Sequence, residues 1–376
     1  MILRLLQGVI IKRLFKGKAV LIMGPRQCGK TTLVKSIVEN TGKQTLWLNG
    51  DDADTQSLLQ SPTSTRLKAL IGKNVIMVID EAQRIENVGI VIKLVVDNIK
   101  TVQVIATGSS SFELANKINE PLTGRKFEYH LFPLSFNEMA AHISVLEEKR
   151  LLEHRMIYGY YPEVVTNAGD EENLLRLLAD SYLYKDLFAL EQLKKPGLLQ
   201  KILQAMALQL GNEVSYHEVA QLVGADNETI EKYIDLLEKA YVVFRLPSLN
   251  RNVRNEIKKG RKIYFYDNGI RNSIIRNYSP LNLRNDKGAL WENFLVTERW
   301  KRNEYAGYYP NRFFWRTHAQ QEIDYIEEAK GKLSGWEFKW STKAGKTIPK
   351  TFLNAYRESK VQFIHHDNFM DFLMNE

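Results

Sequence analysis

Gly24-Pro25-Arg26-Gln27-Cys28-Gly29-Lys30-Thr31, with Thr32 next, satisfies the G-x-x-x-x-G-K-[ST] phosphate loop at every constrained position. Lys18 to Met23 is a short apolar run suited to a buried parallel strand, and Thr32 to Val38 reads as the helix that follows. Glycines let backbone N–H groups close around phosphate oxygens, and a helix N-terminus adds partial positive charge. Lys30 is placed to reach the β- and γ-phosphates, and the Thr31 hydroxyl to bind Mg²⁺. A chance glycine turn would lack this strand and helix. The expectation is a nucleoside triphosphate site on an α/β fold.

Moving outward, Gln44 to Asn49 reads as a second strand that ends among polar Asn49, Asp51 and Asp52. Val75 to Glu81 is an apolar run closed by two acids, a Walker B pattern. Asp80 at the strand end can hold Mg²⁺ through its water shell, and Glu81 can orient or deprotonate the attacking water. An Asp-Glu pair is common by itself; it gains weight downstream of a phosphate loop. Thr101 to Ala106 reads as another strand, followed by Thr107-Gly108-Ser109-Ser110-Ser111. Ligands sit at the carboxyl ends of parallel strands, so a hydroxyl there, Ser109 for one, can contact the γ-phosphate. Ser110 or Ser111 can equally cap a helix from Phe112, and the two readings fit different serines. The last strand runs from Lys126 to Leu131, with Arg125 just before it. Arg125 reads as an arginine finger, in cis or on a neighbouring subunit, or as a surface cation flanking an edge strand.

At 376 residues the chain has room for two or three domains, each with its own core. Hydrophobic residues at 44% and charged residues at 26% describe an ordinary globular protein. The net charge of +8 suits an anionic partner such as nucleic acid. Cys28 is the single cysteine, which excludes an intramolecular disulfide and a cysteine zinc site. The N-terminal apolar run is broken by Arg4, closed by Lys12 and Arg13, and leads straight into the phosphate-loop strand, so it does not read as a signal peptide. With no uncharged run long enough to span a bilayer, no membrane partner and a cytoplasmic location are expected.

The ordered motifs Gly24-Pro25-Arg26-Gln27 with Gly29-Lys30-Thr31-Thr32, Asp80-Glu81-Ala82-Gln83, Thr107 to Ser111 and Leu122-Thr123-Gly124-Arg125 match one family. Phe132-Pro133-Leu134-Ser135-Phe136-Asn137-Glu138 and Gly159-Tyr160-Tyr161-Pro162-Glu163 continue the match. The chain resembles the prokaryotic AAA-type "ATP-binding protein" family, over nearly its whole length. The resemblance implies an AAA-type parallel sheet, ATP as the nucleotide, assembly into a homo-oligomer through nucleotide-bridging interfaces, and a finger role for Arg125. Position 28 is more often aliphatic in such loops. Cys28 therefore predicts sensitivity of the ATPase to thiol reagents.

From about Val145 to Gly211 the periodicity is helical, a lid or linker. Ser215-Tyr216-His217-Glu218 has capping-box form, Gly224-Ala225 makes a turn, and Asp226 can cap a second helix. Val242 to Leu246 and Lys262 to Tyr266 then read as paired strands. Helix, turn, helix and hairpin describe a winged helix. Arg251, Arg254, Lys258, Lys259 and Arg261 lie between the strands and Lys262 opens the second, a set suited to DNA-backbone contact without sequence readout. Winged helices also dock proteins, and Asn227, Glu228 and Glu231 at the start of the second helix are not basic.

Farther on, Glu292 lies in an amphipathic helical stretch, and Phe313 to Arg316, Glu322 to Ile326 and Trp336 to Trp340 read as strands. Residues two apart share a strand face, so Glu337 and Lys339 project together, and pairing with the Asp324 strand gathers them into one cluster. Asp324 and Glu337 can hold a metal, Lys339 can orient water or steady developing charge, and Glu292 can complete the shell. This region resembles the PD-(D/E)xK, restriction-endonuclease-like superfamily, with Ile323 where the superfamily name has proline. An inherited fold with an ion-paired Glu337 and Lys339 is the competing reading.

The expected layout is therefore an ATPase domain over 1–144, a helical linker over 145–210, a winged helix over 211–266 and a nuclease-like α/β domain over 267–376. ATP and Mg²⁺ are the expected cofactors. The expected function is a DNA-acting ATPase coupled to the nuclease-like domain; the alternatives are an ATP-gated binding switch or a translocase that does not cut.

Overall fold

The computed structural model describes residues 1–108, 121–180, 196–250, 260–317, 319–342 and 348–374. Two compact units emerge: residues 1–134 with 239–241, and residues 135–238 with 242–376.

The first unit is organised by a five-stranded, all-parallel sheet in the order β2-β3-β4-β1-β5. Its strands are β1 (Ala19–Met23), β2 (Thr45–Asn49), β3 (Ile76–Asp80), β4 (Gln103–Gly108) and β5 (Lys126–His130). Ala-Val-Leu-Ile-Met in β1 and Ile-Met-Val-Ile in β3 are buried at every position, as strands covered on both faces require. Helices α1 (Leu5–Ile11), α2 (Lys30–Thr41), α3 (Ala53–Leu59), α4 (Ser64–Ile71) and α5 (Val88–Asn98) accompany the sheet. Asp52 and Thr63 cap α3 and α4 through their side chains. In the parallel register Asn49 pairs with Asp80 and Met23 with Gly108, so the strand ends that carry polar residues are level.

The second unit begins with the helix Phe136–His142, closed by a full capping box between Ser135 and Glu138. Helices Val145–Arg150, Leu152–Tyr158, Pro162–Thr166, Glu171–Leu178 and Pro196–Leu208 follow, in agreement with the helical periodicity. Gly159, between two of them, has φ +74° and faces Asp267: an added Cβ would stand 2.0 Å from Asp267 Oδ1. That close approach lets Tyr160 N–H donate to Asp267 Oδ2 at 2.7 Å, while Asp267 Oδ1 caps the helix Asn268–Ile274. The Gly159-Tyr160 motif is thus explained by packing.

Helices Tyr216–Val223 and Asn227–Lys239 are capped by Ser215 and Asp226, with Gly224 left-handed between them. The antiparallel pair β6 (Val243–Pro247) and β7 (Arg261–Phe265) follows. This hairpin does not stand apart. Leu249 N–H donates to the Phe314 carbonyl at 2.6 Å, on the edge strand of the next sheet. That sheet has the order β11-β10-β9-β8, with β8 (Asn311–Arg316), β9 (Glu322–Ala329), β10 (Lys332–Phe338) and β11 (Lys360–Ile364). Only β10 and β11 pair in parallel. Lys330 and Gly331, both at positive φ, make the tight turn between β9 and β10. The long helix Lys287–Ala306 is tied to β7 by Asn293, whose amide both accepts from Phe265 N–H and donates to Phe265 C=O.

Candidate functional site

In the first unit the phosphate loop joins β1 to α2, as the sequence predicts. Gly24 must be glycine: a Cβ there would lie 1.9 Å from the Leu131 carbonyl oxygen beyond β5. Gly29 takes φ +96° and opens α2. Lys30 is buried and its ammonium donates to the Gly24 and Pro25 carbonyls at 3.0 and 2.7 Å, folded back across its own loop. Arg26 is half-buried, and Gln27 and Thr32 are exposed. Arg4, buried at the start of α1, braces the loop from behind: its guanidinium donates to Cys28 C=O at 2.7 Å and Phe132 C=O at 2.6 Å. Cys28 is fully buried, with its thiol on Leu131 C=O, and burial raises its pKa. A buried, poorly ionised thiol is inert, so the expected thiol sensitivity is corrected.

Asp80 ends β3 facing α2. Its Oδ2 accepts from the Thr31 hydroxyl at 2.9 Å, and its Oδ1 accepts a short hydrogen bond from Thr107. The same Thr107 oxygen accepts from Glu81 N–H at 3.2 Å. Glu81 sits at φ 49°, ψ 45°, in the left-handed region, and Gln83 donates to its carboxylate at 2.6 Å. A hydroxyl and a carboxylate facing each other beside a phosphate loop are the donor set a Mg²⁺-nucleotide needs, so Thr31 and Asp80 fit that ion. Ser109 lies outside the described residues. Arg125 is paired within its own chain, Nε to Asp97 Oδ1 at 2.8 Å, and the hydrogen bond from Arg125 lowers the Asp97 pKa.

The second unit assembles the other predicted constellation. Asp324 Oδ2 accepts from Phe338 N–H at 2.7 Å, and Lys339 donates to Glu337 Oε1 at 2.7 Å, so adjacent strands bring the acids and the lysine together. Glu292 joins from the long helix. The centre of the cluster is a residue expected elsewhere. Lys262 is 1% exposed, and its ammonium lies 2.8 Å from Glu292 Oε1, 2.5 Å from Glu322 Oε1 and 3.6 Å from Asp324 Oδ1. The expected contact of Lys262 with a DNA backbone is corrected: this side chain is internal. Tyr264, two residues on and on the same strand face, donates to the same Glu292 oxygen at 2.5 Å.

Burial pushes Glu292 and Glu337 up to about 7 and raises Asp324. Burial opposes the Lys262 charge, but Glu292, Tyr264, Asp324 and Glu322 outweigh it and hold its pKa well above the ordinary value. Glu337 Oε2 is buried without a hydrogen-bond partner. Among the described residues no three His, Cys, Asp or Glu side chains are arranged to hold a metal ion. The expected metal shell of Glu292, Asp324 and Glu337 does not fit as arranged, because an ammonium stands where a cation shared by Glu292 and Asp324 would sit. Arg251, Arg254, Lys258 and Lys259 lie outside the described residues. Arg261 stacks on Tyr216 and pairs with Glu231 at 3.6 Å. Among the described residues no helix is long and apolar enough to cross a membrane.

Sequence reading missed Arg4, Gln83, Glu322, Tyr264 and the place of Lys262. Glu322 had a signal, since it shares a strand face with Asp324 by the two-residue period. Nothing local marks Lys262, because its partners come from a helix and a strand 30 or more residues away.

Comparison with known proteins agrees with the first unit. Residues 16–140 match the AAA domain family. Residues 149–283 and 287–371 match two domains of unknown function, DUF8612 and DUF4143. An uncharacterized protein of Mycobacterium tuberculosis is 26% identical over 334 residues, covering 87% of this chain and 71% of that one. One of Methanocaldococcus jannaschii is 25% identical over 341 residues, covering 84% and 73%. A Walker-type ATPase of Pyrococcus abyssi shares the fold with a TM-score of 0.50 at 13% identity, over 73% of this chain and 96% of that one. The first unit has an AAA-type P-loop ATPase fold.

Proposed function

We propose that the protein is a Mg²⁺-dependent ATP hydrolase working as an ATP-gated switch, whose second unit binds DNA without cutting it. One arrangement carries the ATPase part: Thr31, Asp80 and Thr107 form a hydrogen-bonded chain beside the phosphate loop, and Thr107 also holds the Glu81 backbone. When ATP binds, Lys30 exchanges the Gly24 and Pro25 carbonyls for phosphate oxygens. Thr31 and Asp80 would hold Mg²⁺, whose charge would offset that of the phosphates. Glu81 then releases Gln83 or keeps it as an aligning partner, and orients the attacking water. Arg125 leaves Asp97 to reach a nucleotide, its own or that of a second copy in a homo-oligomer.

DNA as the partner is supported by the +8 net charge and the basic run from Arg251 to Arg261. The absence of cutting is supported by Lys262 at the centre of the acid cluster. A second reading, metal-dependent cleavage at Asp324, Glu337 and Lys339, is favoured by the buried, unpartnered Glu337 Oε2, an atom that a cation would satisfy. Fluorescence anisotropy of a labelled duplex, with Glu81→Gln to trap ATP, tests the switch. The expected outcome is DNA affinity that differs between ATP and ADP, with the duplex intact after incubation with Mn²⁺. Nucleotide-independent affinity would refute the gating, and cutting lost in Asp324→Ala would establish the second reading.

A further inference from the structure

We propose that the Lys262 ammonium is the resident cation of the acid cluster, filling the position of a divalent metal and fastening the β6–β7 hairpin to the C-terminal sheet. The inference rests on the non-cleaving reading of the second unit and says why that reading holds.

The observation is one of position. Three carboxylate oxygens converge on Lys262 Nζ from two other elements: Glu292 from the long helix, Glu322 and Asp324 from β9. All are oxygen donors, the set that a hard divalent ion takes, at about 2.0–2.6 Å for Mg²⁺ or Ca²⁺. The ammonium stands 2.5–3.6 Å from the same atoms. A second cation serving Glu292 and Asp324 would lie against Nζ, where like charges at close range and low dielectric repel strongly. Lys262 is 1% exposed, so it has no solvent into which to swing without the strand moving.

The remaining contacts point the same way. Tyr264 gives Glu292 Oε1 a second donor from β7, which fixes the carboxylate toward the hairpin. Asp324 Oδ2 is spent on Phe338 N–H, and Glu337 Oε1 on Lys339. The chain meets the sheet again just past β6, where Leu249 N–H donates to the Phe314 carbonyl. Lys262 thus stands as a bridging metal would, hydrogen-bonded to Glu292 and serving as counter-charge to Glu322 and Asp324 on a separate element, and it is a group that cannot be chelated away.

Mn²⁺ binding to nucleotide-free protein, read by electron paramagnetic resonance, tests this in an Asp80→Asn background that removes the metal ligand of the ATPase site. With Lys262 in place, adding Asp324→Asn is expected to leave Mn²⁺ binding unchanged. Lys262→Met, and Lys262→Gln should the first not fold, are expected to gain one Mn²⁺ per chain that Asp324→Asn removes, and to be stabilised by Mn²⁺ where the Lys262 protein is not. An Asp324-dependent Mn²⁺ site in protein that keeps Lys262 overturns the proposal. So does a folded Lys262→Met or Lys262→Gln protein that takes up none. Should neither variant fold, the Asp324→Asn comparison decides alone. DNA cutting by the Lys262 protein that Asp324→Asn abolishes would refute the non-cleaving reading, and it is read separately from Mn²⁺ uptake.

Discussion

The Thr107 hydroxyl donates to Asp80 and accepts from Glu81 N–H, so one side chain sets both acids of the Walker B pair. Thr107→Val keeps the shape and removes both bonds. Outer-shell groups of this kind are worth roughly 10–100-fold in activity, and kcat for ATP is expected to fall by about that much with KM little changed. Steady-state phosphate release checks the split. Cys28 offers a second test at this scale. A buried thiol with a raised pKa presents almost no thiolate, so N-ethylmaleimide is expected to leave ATP turnover and the intact mass of the folded protein unchanged. Rapid modification with loss of turnover would show that the loop opens.

At the level of elements, α1 and the hairpin contribute residues that no local pattern announces. Arg4 opens an apolar helix and looks like a lone cation, yet it reaches carbonyls 24 and 128 residues away. Hydrogen bonds from a charged group are worth about 1.5–3 kcal/mol each, so Arg4→Met is expected to weaken ATP binding by about tenfold or more. Arg4→Lys, which cannot span both carbonyls, should fall between; a fluorescent-nucleotide titration measures both. The segment entering the long helix is held by Asp286, which accepts from Arg284 and Arg271. Burial opposes its charge, but these two guanidiniums hold its pKa down to about 2 from 3.8. The folded pKa is depressed, so this stabilisation is present above pH 3.8 and is lost as the pH falls toward 2. The shift corresponds to about 2 kcal/mol. Asp286→Asn is expected to lower stability by about that much at pH 7, with the deficit shrinking below pH 4; urea unfolding at several pH values checks it.

Across the whole molecule, what could be read in advance was what the chain encodes locally. The phosphate loop, the apolar β3 closed by Asp80-Glu81, the capped helix pair and the strand pair carrying Asp324 and Glu337 each announce themselves within ten or so residues, by period, cap or glycine. The first-unit strand ends shifted by only a residue or two, whereas β9 and β10 run three and four residues farther toward their shared turn, to Ala329 and from Lys332. The edge strand β11 was not foreseen, since Lys-Val-Gln-Phe-Ile is short and half exposed and gains its place only by pairing with β10. The acid cluster was foreseen in part: Glu292, Asp324, Glu337 and Lys339 do converge. The central cation was not, because Lys262 sits in a basic run and reads as surface charge until tertiary structure buries it.

The central claim is ATP hydrolysis at the Lys30, Asp80 and Glu81 site, coupled to a partner. The most direct test is Mg²⁺-dependent phosphate release from the wild-type protein and from Glu81→Gln, each with and without duplex DNA. Turnover by the wild type that rises with DNA, and its loss in Glu81→Gln with ATP binding retained, is the expected result. Turnover that survives in Glu81→Gln, or none from the wild type under either condition, would contradict it.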